Sequence, residues 1–342
     1  MNKVDYNFSN DVVSCYFNAD FKCIDTLATG SSIVFVTDEN VYSFHKEKFE
    51  HYPTITIHAG EAYKNQATAD FIIAELIKLE ANKDTMLIAV GGGVVTDIAG
   101  YVASVYMRGI RCGLVPTSIL AMVDAAIGGK NGIDAGLYKN LVGTIRQPEF
   151  IFYDYAFLDT LPVKEWINGF AEIIKHACIK DAVMFAVLER YSLHDYQNDK
   201  TLIADLVEKN VAIKSAIVAS DEFEKGDRKL LNFGHTIGHA IENMHGIPHG
   251  HAISIGMVAA CNLSEEINGF HFSQAEKIVK LLHQYQLPVD VETDHEKVFE
   301  ILKMDKKRKS DGIHFILLKN IGHAQIKFVP LTELQSRFKD IL

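Results

Sequence analysis

The sequence predicts a chain in two parts, an α/β part built on a parallel sheet and then a mainly α-helical part. Three observations carry that prediction. Short β-branched runs alternate with helical spacing up to about residue 155, long helical periodicities take over beyond it, and a glycine triplet separates one strand from the helix after it. The 342 residues also exceed the roughly 250–300 at which a single core stops growing, so two domains are expected, 1–155 and 156–342.

Taken in order, residues 32–37 (SIVFVT) read as a buried strand closed by Asp38-Glu39-Asn40, and 54–58 (TITIH) as a second closed by Ala59-Gly60. Between Ala67 and Leu79 the apolar residues Phe71, Ile72, Leu76 and Leu79 fall close to helical spacing. Residues 86–90 (MLIAV) then run into Gly91-Gly92-Gly93. Strand, helix, strand, glycine turn is the order of a βαβ unit, so the sheet is parallel. Further on, 164–180, 201–220, 236–242 and 273–284 have helical periods, and only 313–318 (IHFILL) and 325–329 (QIKFV) resemble strands. No repeat, Pro-rich linker or low-complexity tract separates the parts, so a ligand cleft between two closely joined domains is expected.

Composition excludes several partners. Thirty-four Lys and Arg against 44 Asp and Glu give a net charge of −10, which disfavours a broad surface for nucleic acid or acidic lipid. Five scattered cysteines, never spaced Cys-x-x-Cys, suggest neither a disulfide framework nor a thiolate zinc site. With no signal-peptide pattern and no apolar stretch of about 18 residues, a cytoplasmic protein without membrane contact is expected.

Three regions hold the chemistry. The glycine turn stands directly after a strand and before a helix, where backbone N–H groups and the helix N-terminus can cradle a phosphate. The stretch 116–134 is apolar enough to be buried, yet it carries Asp124 and Lys130, with Lys139 just beyond, so an anionic ligand or an internal ion pair is implied. Finally, five of the 15 histidines (His235, His239, His245, His249, His251) lie within 17 residues, and upstream Glu172, Lys175 and His176 share a helical turn. Three nitrogen or oxygen ligands with one open position make a catalytic metal site. Spacing alone does not choose among Glu172, His176, His235, His239, His249 and His251. Lys214, Glu224, Arg228 and Asn232 stand on the approach to the cluster, and residues 305–309 (DKKRK) form a basic run.

With these segments in view, the sequence resembles the 3-dehydroquinate synthase family of sugar phosphate cyclases over nearly its full length. The motifs are GGGVVTDIAGYVASVYMRG (91–109), PTSILAMVDAAIGGKNGID (116–134), KNLVGTIRQP (139–148), FLDTLP (157–162), GFAEIIKHACIKD (169–181), LLNFGHTIGHAIE (230–242), HGHAISIGM (249–257) and MDKK (304–307). The chain departs from the family pattern at Asn131, Asp134, Tyr138 and His251.

The resemblance implies a Rossmann-like NAD-binding domain followed by a helical metal- and substrate-binding domain. It assigns one divalent metal, Zn2+ or Co2+, to Glu172, His235 and His249. NAD+ contacts would fall on Asp38; on Ala59, Gly60, Glu61, Ala62, Tyr63 and Lys64; on Gly92, Gly93, Val94, Val95, Thr96 and Asp97; on Thr117 and Ser118; on Lys130 and Lys139; and on Phe157, Leu158, Asp159 and Thr160. Lys130, Lys175, Glu224 and His239 would be catalytic. Substrate would also meet Asp124, Asn140, Lys214, Arg228, Asn232 and Lys306, with Arg108 reaching in from the second subunit of a homodimer. The implied reaction cyclises a sugar phosphate acid, 3-deoxy-D-arabino-heptulosonate 7-phosphate, to 3-dehydroquinate with loss of phosphate, NAD+ being used catalytically. Other cyclases, such as 2-deoxy-scyllo-inosose synthase, and a metal-dependent NAD alcohol or polyol dehydrogenase are the alternatives. Arg228 and Lys214, which suit a substrate carboxylate, favour the dehydroquinate reaction.

Overall fold

A computed structural model describes residues 1–136, 138–306 and 311–342. It divides into two compact units, Met1–Glu165 with Lys200–Phe223, and Trp166–Asp199 with Glu224–Leu342. The division therefore differs from the expected 1–155 and 156–342, because the chain returns to the first unit after residue 199. The helix Lys200–Ser220 buries Ile203, Leu206, Val207, Val211 and Val218 and packs on the π-helical turn Ala121–Ala125 of unit 1. Its periodicity shows that it has a buried face, but not which unit receives that face.

Unit 1 contains β1 (Asn2–Asn7), β2 (Val12–Phe17), β3 (Ile33–Asp38), β4 (Thr54–Ile57), β5 (Met86–Gly91), β6 (Arg111–Pro116), the hairpin β7 (Lys130–Ala135) and β8 (Tyr138–Ile145), and β9 (Phe150–Phe152). The main sheet has the order β1-β2-β9-β6-β5-β3-β4, and only β1 and β2 pair antiparallel. Next to its central strand β6, β5 is buried at every residue, which is why it is written as a continuous apolar run. From β3 the chain steps outward to β4, then crosses to β5 on the other flank of β3 and continues to β6. That reversal places a topological switch point between β3 and β5, where open α/β sheets bind ligands.

The Gln66–Lys78 helix buries Ala69, Ile72 and Leu76. Phe71 and Leu79, expected on its inner face, are exposed, so the apolar stripe is narrower than the sequence suggests. On one side of the sheet Phe21 meets Phe157 edge-on at 5.7 Å between ring centres, and Phe35 meets Phe49 likewise at 5.8 Å. The stretch 116–134 is mostly buried as expected, at Ala121, Met122, Val123, Gly132 and Ile133 among others, but Lys130 is exposed; beyond that stretch, β8 of the same hairpin is exposed at almost every position. The lysines and acidic residues of this hairpin remain solvated at low cost only at the surface.

Unit 2 receives most of the helix Val163–Lys180, followed by His235–His245, His249–Asn268 and Phe272–Gln284, the hairpin β10 (Gly312–Asn320) and β11 (His323–Pro330), and a last helix Leu331–Ile341. Ile237, Ile241, Ile255 and Leu263 from the two histidine-bearing helices join Phe315, Leu317 and Phe338 in its core. Those two helices approach through glycine. A Cβ on Gly256 would lie 2.0 Å from the Gly234 carbonyl oxygen, and one on Gly238 would lie 2.9 Å from that of Ala252. Only residues without side chains allow backbones this close.

Candidate functional site

In unit 1 the switch point is built from two adjacent strand ends. Thr37 pairs with Val90, so the chain leaves β3 at Asp38 beside the point where β5 reaches Gly91. Asp38 Oδ1 accepts the N–H groups of Asn40 and Val41 at 2.9 and 3.0 Å and caps the following helix. Burial raises its pKa. Gly92 is the N-cap of the helix Gly93–Val105 and offers no side-chain cap, so that helix start presents backbone donors. Val94 and Val95 follow in its first turn, and Thr96 bonds back to the Gly93 carbonyl. Across the sheet, Thr117 donates its N–H to the Gly91 carbonyl at 2.9 Å, and the Ser118 hydroxyl lies closest to where a Gly92 Cβ would stand.

Lys64 is 4% exposed, and its ammonium reaches Asp97 at 2.5 Å and the Asn140 side-chain carbonyl at 2.6 Å. Burial works against its charge, but Asp97, Glu61 and Asp134 hold its pKa above the ordinary value. Asp97 shows the converse balance: burial raises its pKa and Lys64 opposes the rise. Glu61, Ala62 and Tyr63 are exposed, as are Gly60, Lys130, Lys139 and Asn140, while Ala59 is half-buried. Phe157 and Leu158 place their side chains in buried surroundings, Thr160 bonds to His45 at 2.8 Å, and Asp159 pairs with Lys200. Two expected substrate residues meet directly, for Lys214 donates to both the carboxylate and the backbone carbonyl of Asp124, each at 2.6 Å.

In unit 2, Glu172, His235 and His249 bring one ligand atom each into a common space. Glu172 Oε1 lies 3.5 Å from His235 Nε2 and 3.3 Å from His249 Nε2. The Nδ1 of His235 faces the Phe233 carbonyl at 3.2 Å, which fixes a proton there and leaves Nε2 as a lone pair turned toward Glu172. Burial keeps His235 well below its ordinary pKa, so the ring is in its ligating form. Burial opposes charge at Glu172 as well, but Lys175 and the two histidines hold its carboxyl well below the usual range. Lys175, 1% exposed, pairs with Glu172 on the same helix. His249 sits between carboxylates, and although burial lowers its pKa, Glu172 and Glu242 bring it to about 9. Two carboxylates converging on one imidazole make this a place for positive charge, which a divalent ion would supply.

The other predicted residues of unit 2 fall nearby in the chain but into different settings. His239 shares a helix with His235, ring centres 5.1 Å apart, yet it is exposed and belongs to a different group, with Glu242 and His249. His176 is fully buried, and His251 is half-buried with its pKa lowered by that burial. Asn232 donates to Glu224 at 2.7 Å, and Glu224 adopts a left-handed backbone at φ +57°. Arg228 is 2% exposed, which a guanidinium accepts only in a polar setting. In unit 1, Arg108 is exposed on a turn in which it and Met107 both have positive φ. The side chain of Lys306 and residues 307–310 lie outside the described residues.

Sequence reasoning missed two residues. Asn168 accepts the N–H of Gly250 at 2.5 Å, tying the Glu172 helix to the start of the His249 helix. Glu242 meets His249 Nδ1 at 3.4 Å. Its place seven residues after His235, on the same helix face, was the available signal.

Residues 54–168 match the family described as 3-dehydroquinate synthase N-terminal, and residues 169–308 match 3-dehydroquinate synthase C-terminal. The sequence is 39% identical over 314 residues to the 3-dehydroquinate synthase of Campylobacter concisus (strain 13826), covering 89% of this chain and 90% of the relative. Among solved structures, a 2-deoxy-scyllo-inosose synthase complexed with carbaglucose-6-phosphate, NAD+ and Co2+ superposes with a TM-score of 0.87 at 24% identity, over 100% of both chains. The 2-epi-5-epi-valiolone synthase from Streptomyces hygroscopicus subsp. jinggangensis 5008, with NAD+ and Zn2+ bound, gives the same score and identity over 100% of this chain and 98% of its own. At that identity the likeness is one of fold.

Proposed function

The chain belongs to the 3-dehydroquinate synthase family, and on that premise we propose that it converts 3-deoxy-D-arabino-heptulosonate 7-phosphate to 3-dehydroquinate and phosphate, with NAD+ on unit 1 and one divalent metal ion on unit 2. The observation that carries the reading is the convergence of the Glu172 carboxylate with the Nε2 atoms of His235 and His249. One carboxylate and two imidazoles suit Zn2+ or Co2+ in a catalytic setting, and the unfilled coordination positions suit a substrate. Held by Glu172, His235 and His249, the ion would supply Lewis acidity toward a substrate hydroxyl, and NAD+ would supply a reversible hydride acceptor, the carbonyl present between the two transfers making the neighbouring carbon acidic enough for phosphate to leave.

The chain's own residues bind and orient. In unit 1 the start of the Gly93–Val105 helix receives the dinucleotide phosphates, and Asp38 receives a ribose through Oδ2, the oxygen outside its two capping bonds. Lys64 neutralises Asp97, so that carboxylate does not repel the cofactor's phosphates. Lys130 and Asn140 donate to the departing phosphate, and Lys214, held by its bonds to Asp124, contacts the substrate carboxylate. In unit 2, Arg228 suits a substrate carboxylate as a fork, His239 and the side-chain amide of Asn232 suit a phosphate as donors, and Glu224, held by Asn232, handles a proton. Lys175 keeps Glu172 ionised and thus able to ligate. The protein's share is largely orientation, holding one conformer through each step. The proposal includes Lys306 as a substrate contact, a homodimer in which the exposed Arg108 of one protomer serves the other, and a reducing cytoplasm, which the five free thiols suit.

The test is phosphate release from the heptulosonate phosphate with catalytic NAD+ and added Zn2+, before and after chelation, while NADH absorbance is followed. Metal-dependent release with 3-dehydroquinate as product and no net NADH supports the proposal. No release from folded, metal-loaded protein, or steady NADH accumulation with a simple polyol, overturns it.

A further inference from the structure

Three helices meet at His249, and the two nitrogens of its ring face two different carboxylates. Nε2 lies 3.3 Å from Glu172 on the Val163–Lys180 helix, and Nδ1 lies 3.4 Å from Glu242 on the His235–His245 helix. Glu242 is 7% exposed, an unusual place for a carboxylate unless a polar partner is fixed there. His235 contrasts with it, because its outward nitrogen faces a neutral backbone carbonyl. The geometry points to Glu242 as a positioning residue that orients His249, keeps its proton on Nδ1 and raises the basicity of Nε2 toward a divalent ion. This rests on the assignment of the metal to Glu172, His235 and His249.

The physical reason is that an imidazole can ligate through Nε2 only when Nδ1 carries the proton, and that proton needs an acceptor. A carboxylate in that position both fixes the ring and donates electron density, and losing such a partner typically costs about 10- to 100-fold in metal affinity. Helical spacing explains why Glu242 can act here. It follows His235 by two turns on the same face, so one short helix supplies both a ligand and the support for a ligand on the next helix.

The experiment compares the full-length wild type with Glu242→Gln, Glu242→Ala and Glu172→Gln. It measures Zn2+ affinity by chelator competition, the visible spectrum of the Co2+-loaded proteins and the melting temperature with and without metal. The expected result is a loss of about 10- to 100-fold in Zn2+ affinity for Glu242→Ala, a smaller loss for Glu242→Gln, which keeps an acceptor, and a shifted Co2+ band in both. If alanine prevents folding, the glutamine variant carries the comparison. Wild-type affinity and spectrum in both Glu242 variants would overturn the inference, as would a uniform fall in melting temperature with the metal-induced rise unchanged. A loss in Glu242→Gln as complete as in Glu172→Gln would make Glu242 a ligand, and also overturns it. Unchanged affinity in Glu172→Gln is a different failure, since it would remove the assigned metal set itself.

Discussion

Lys64 and Asp97 form an ion pair 2.5 Å long beside the glycine turn of unit 1, and the same ammonium takes the Asn140 side chain. Both partners are largely withdrawn from water, with 5% and 17% of their side chains exposed. Their value lies mainly in what either would cost alone.

Lys64→Met should accordingly leave Asp97 buried without its cation and destabilise the protein by about 3–5 kcal/mol, with weaker NAD+ binding. Adding Asp97→Asn should restore part of that stability. Urea unfolding of both single variants and the double variant checks it, and strictly additive losses would mean that the pair is not coupled.

The histidine-bearing helices touch through Gly256, where a Cβ would press on the backbone of Gly234 and Gly238 at 2.0 and 2.7 Å. Gly256→Ala should therefore cost about 1–3 kcal/mol and spread the helices that carry His235 and His249. Lower metal content after dialysis, together with a lower urea midpoint, is the expected reading. Full metal content would show that the helices converge without this contact.

Metal should stabilise the folded chain by mass action. At a free Zn2+ concentration about 100 times the dissociation constant the gain is roughly 2.7 kcal/mol, and chelation should remove it. His235→Ala should abolish most of that increment. Melting curves recorded against buffered free Zn2+ decide the matter, and an undiminished rise in the variant would place the ion elsewhere.

His45 gives a pH dependence of known sign. Burial, and then Lys48, lower its folded pKa below 6.5, while Glu47, Asp154 and Asp159 pull the other way. As pH falls through about 6.5 the unfolded chain takes a proton that the folded chain resists, so stability present above that pH declines below it. Unfolding free energies between pH 5 and 7 should fall less steeply in His45→Gln, by up to about 1.4 kcal/mol for each unit of depression. Parallel slopes would remove His45 from the account.

Arg228→Ala should raise the Michaelis constant for the sugar phosphate acid by about 10- to 100-fold through loss of a charge-assisted bond, and leave NAD+ affinity nearly unchanged. Steady-state kinetics with cofactor titration separates the two effects. An equal loss of both would point to a general disturbance of unit 2.

Much of this was readable in the sequence wherever burial writes a pattern. The runs at β3 and β5 are apolar because both faces of a parallel sheet are covered, the edge strand β4 alternates half-buried Thr with buried Ile, and Gly92 stands where the following helix needs a start without a side chain. The β7–β8 hairpin was not legible, since β8 is exposed on both faces and shows no alternation. Asn131 and Asp134, both departures from the family pattern, are explained only in three dimensions. Asn131 fills the space above Gly100 and bonds to the Gly129 and Arg146 carbonyls, while Asp134 accepts the Asn140 N–H. Histidine density announced a metal centre, but Glu172, His235 and His249 come from three separate helices, so spacing along the chain could not select them.

The return of residues 200–223 to unit 1 bears on how the protein emerges from the ribosome. Lys214, which bonds to Asp124, lies in that returning helix, so the seven-stranded sheet and the turn beside it cannot complete their packing when the last strand has been made. Synthesis must first pass through the segment Trp166–Asp199, which belongs to the other unit. The two units cannot mature strictly one after the other during translation, nor can either be excised as a single uninterrupted stretch of gene.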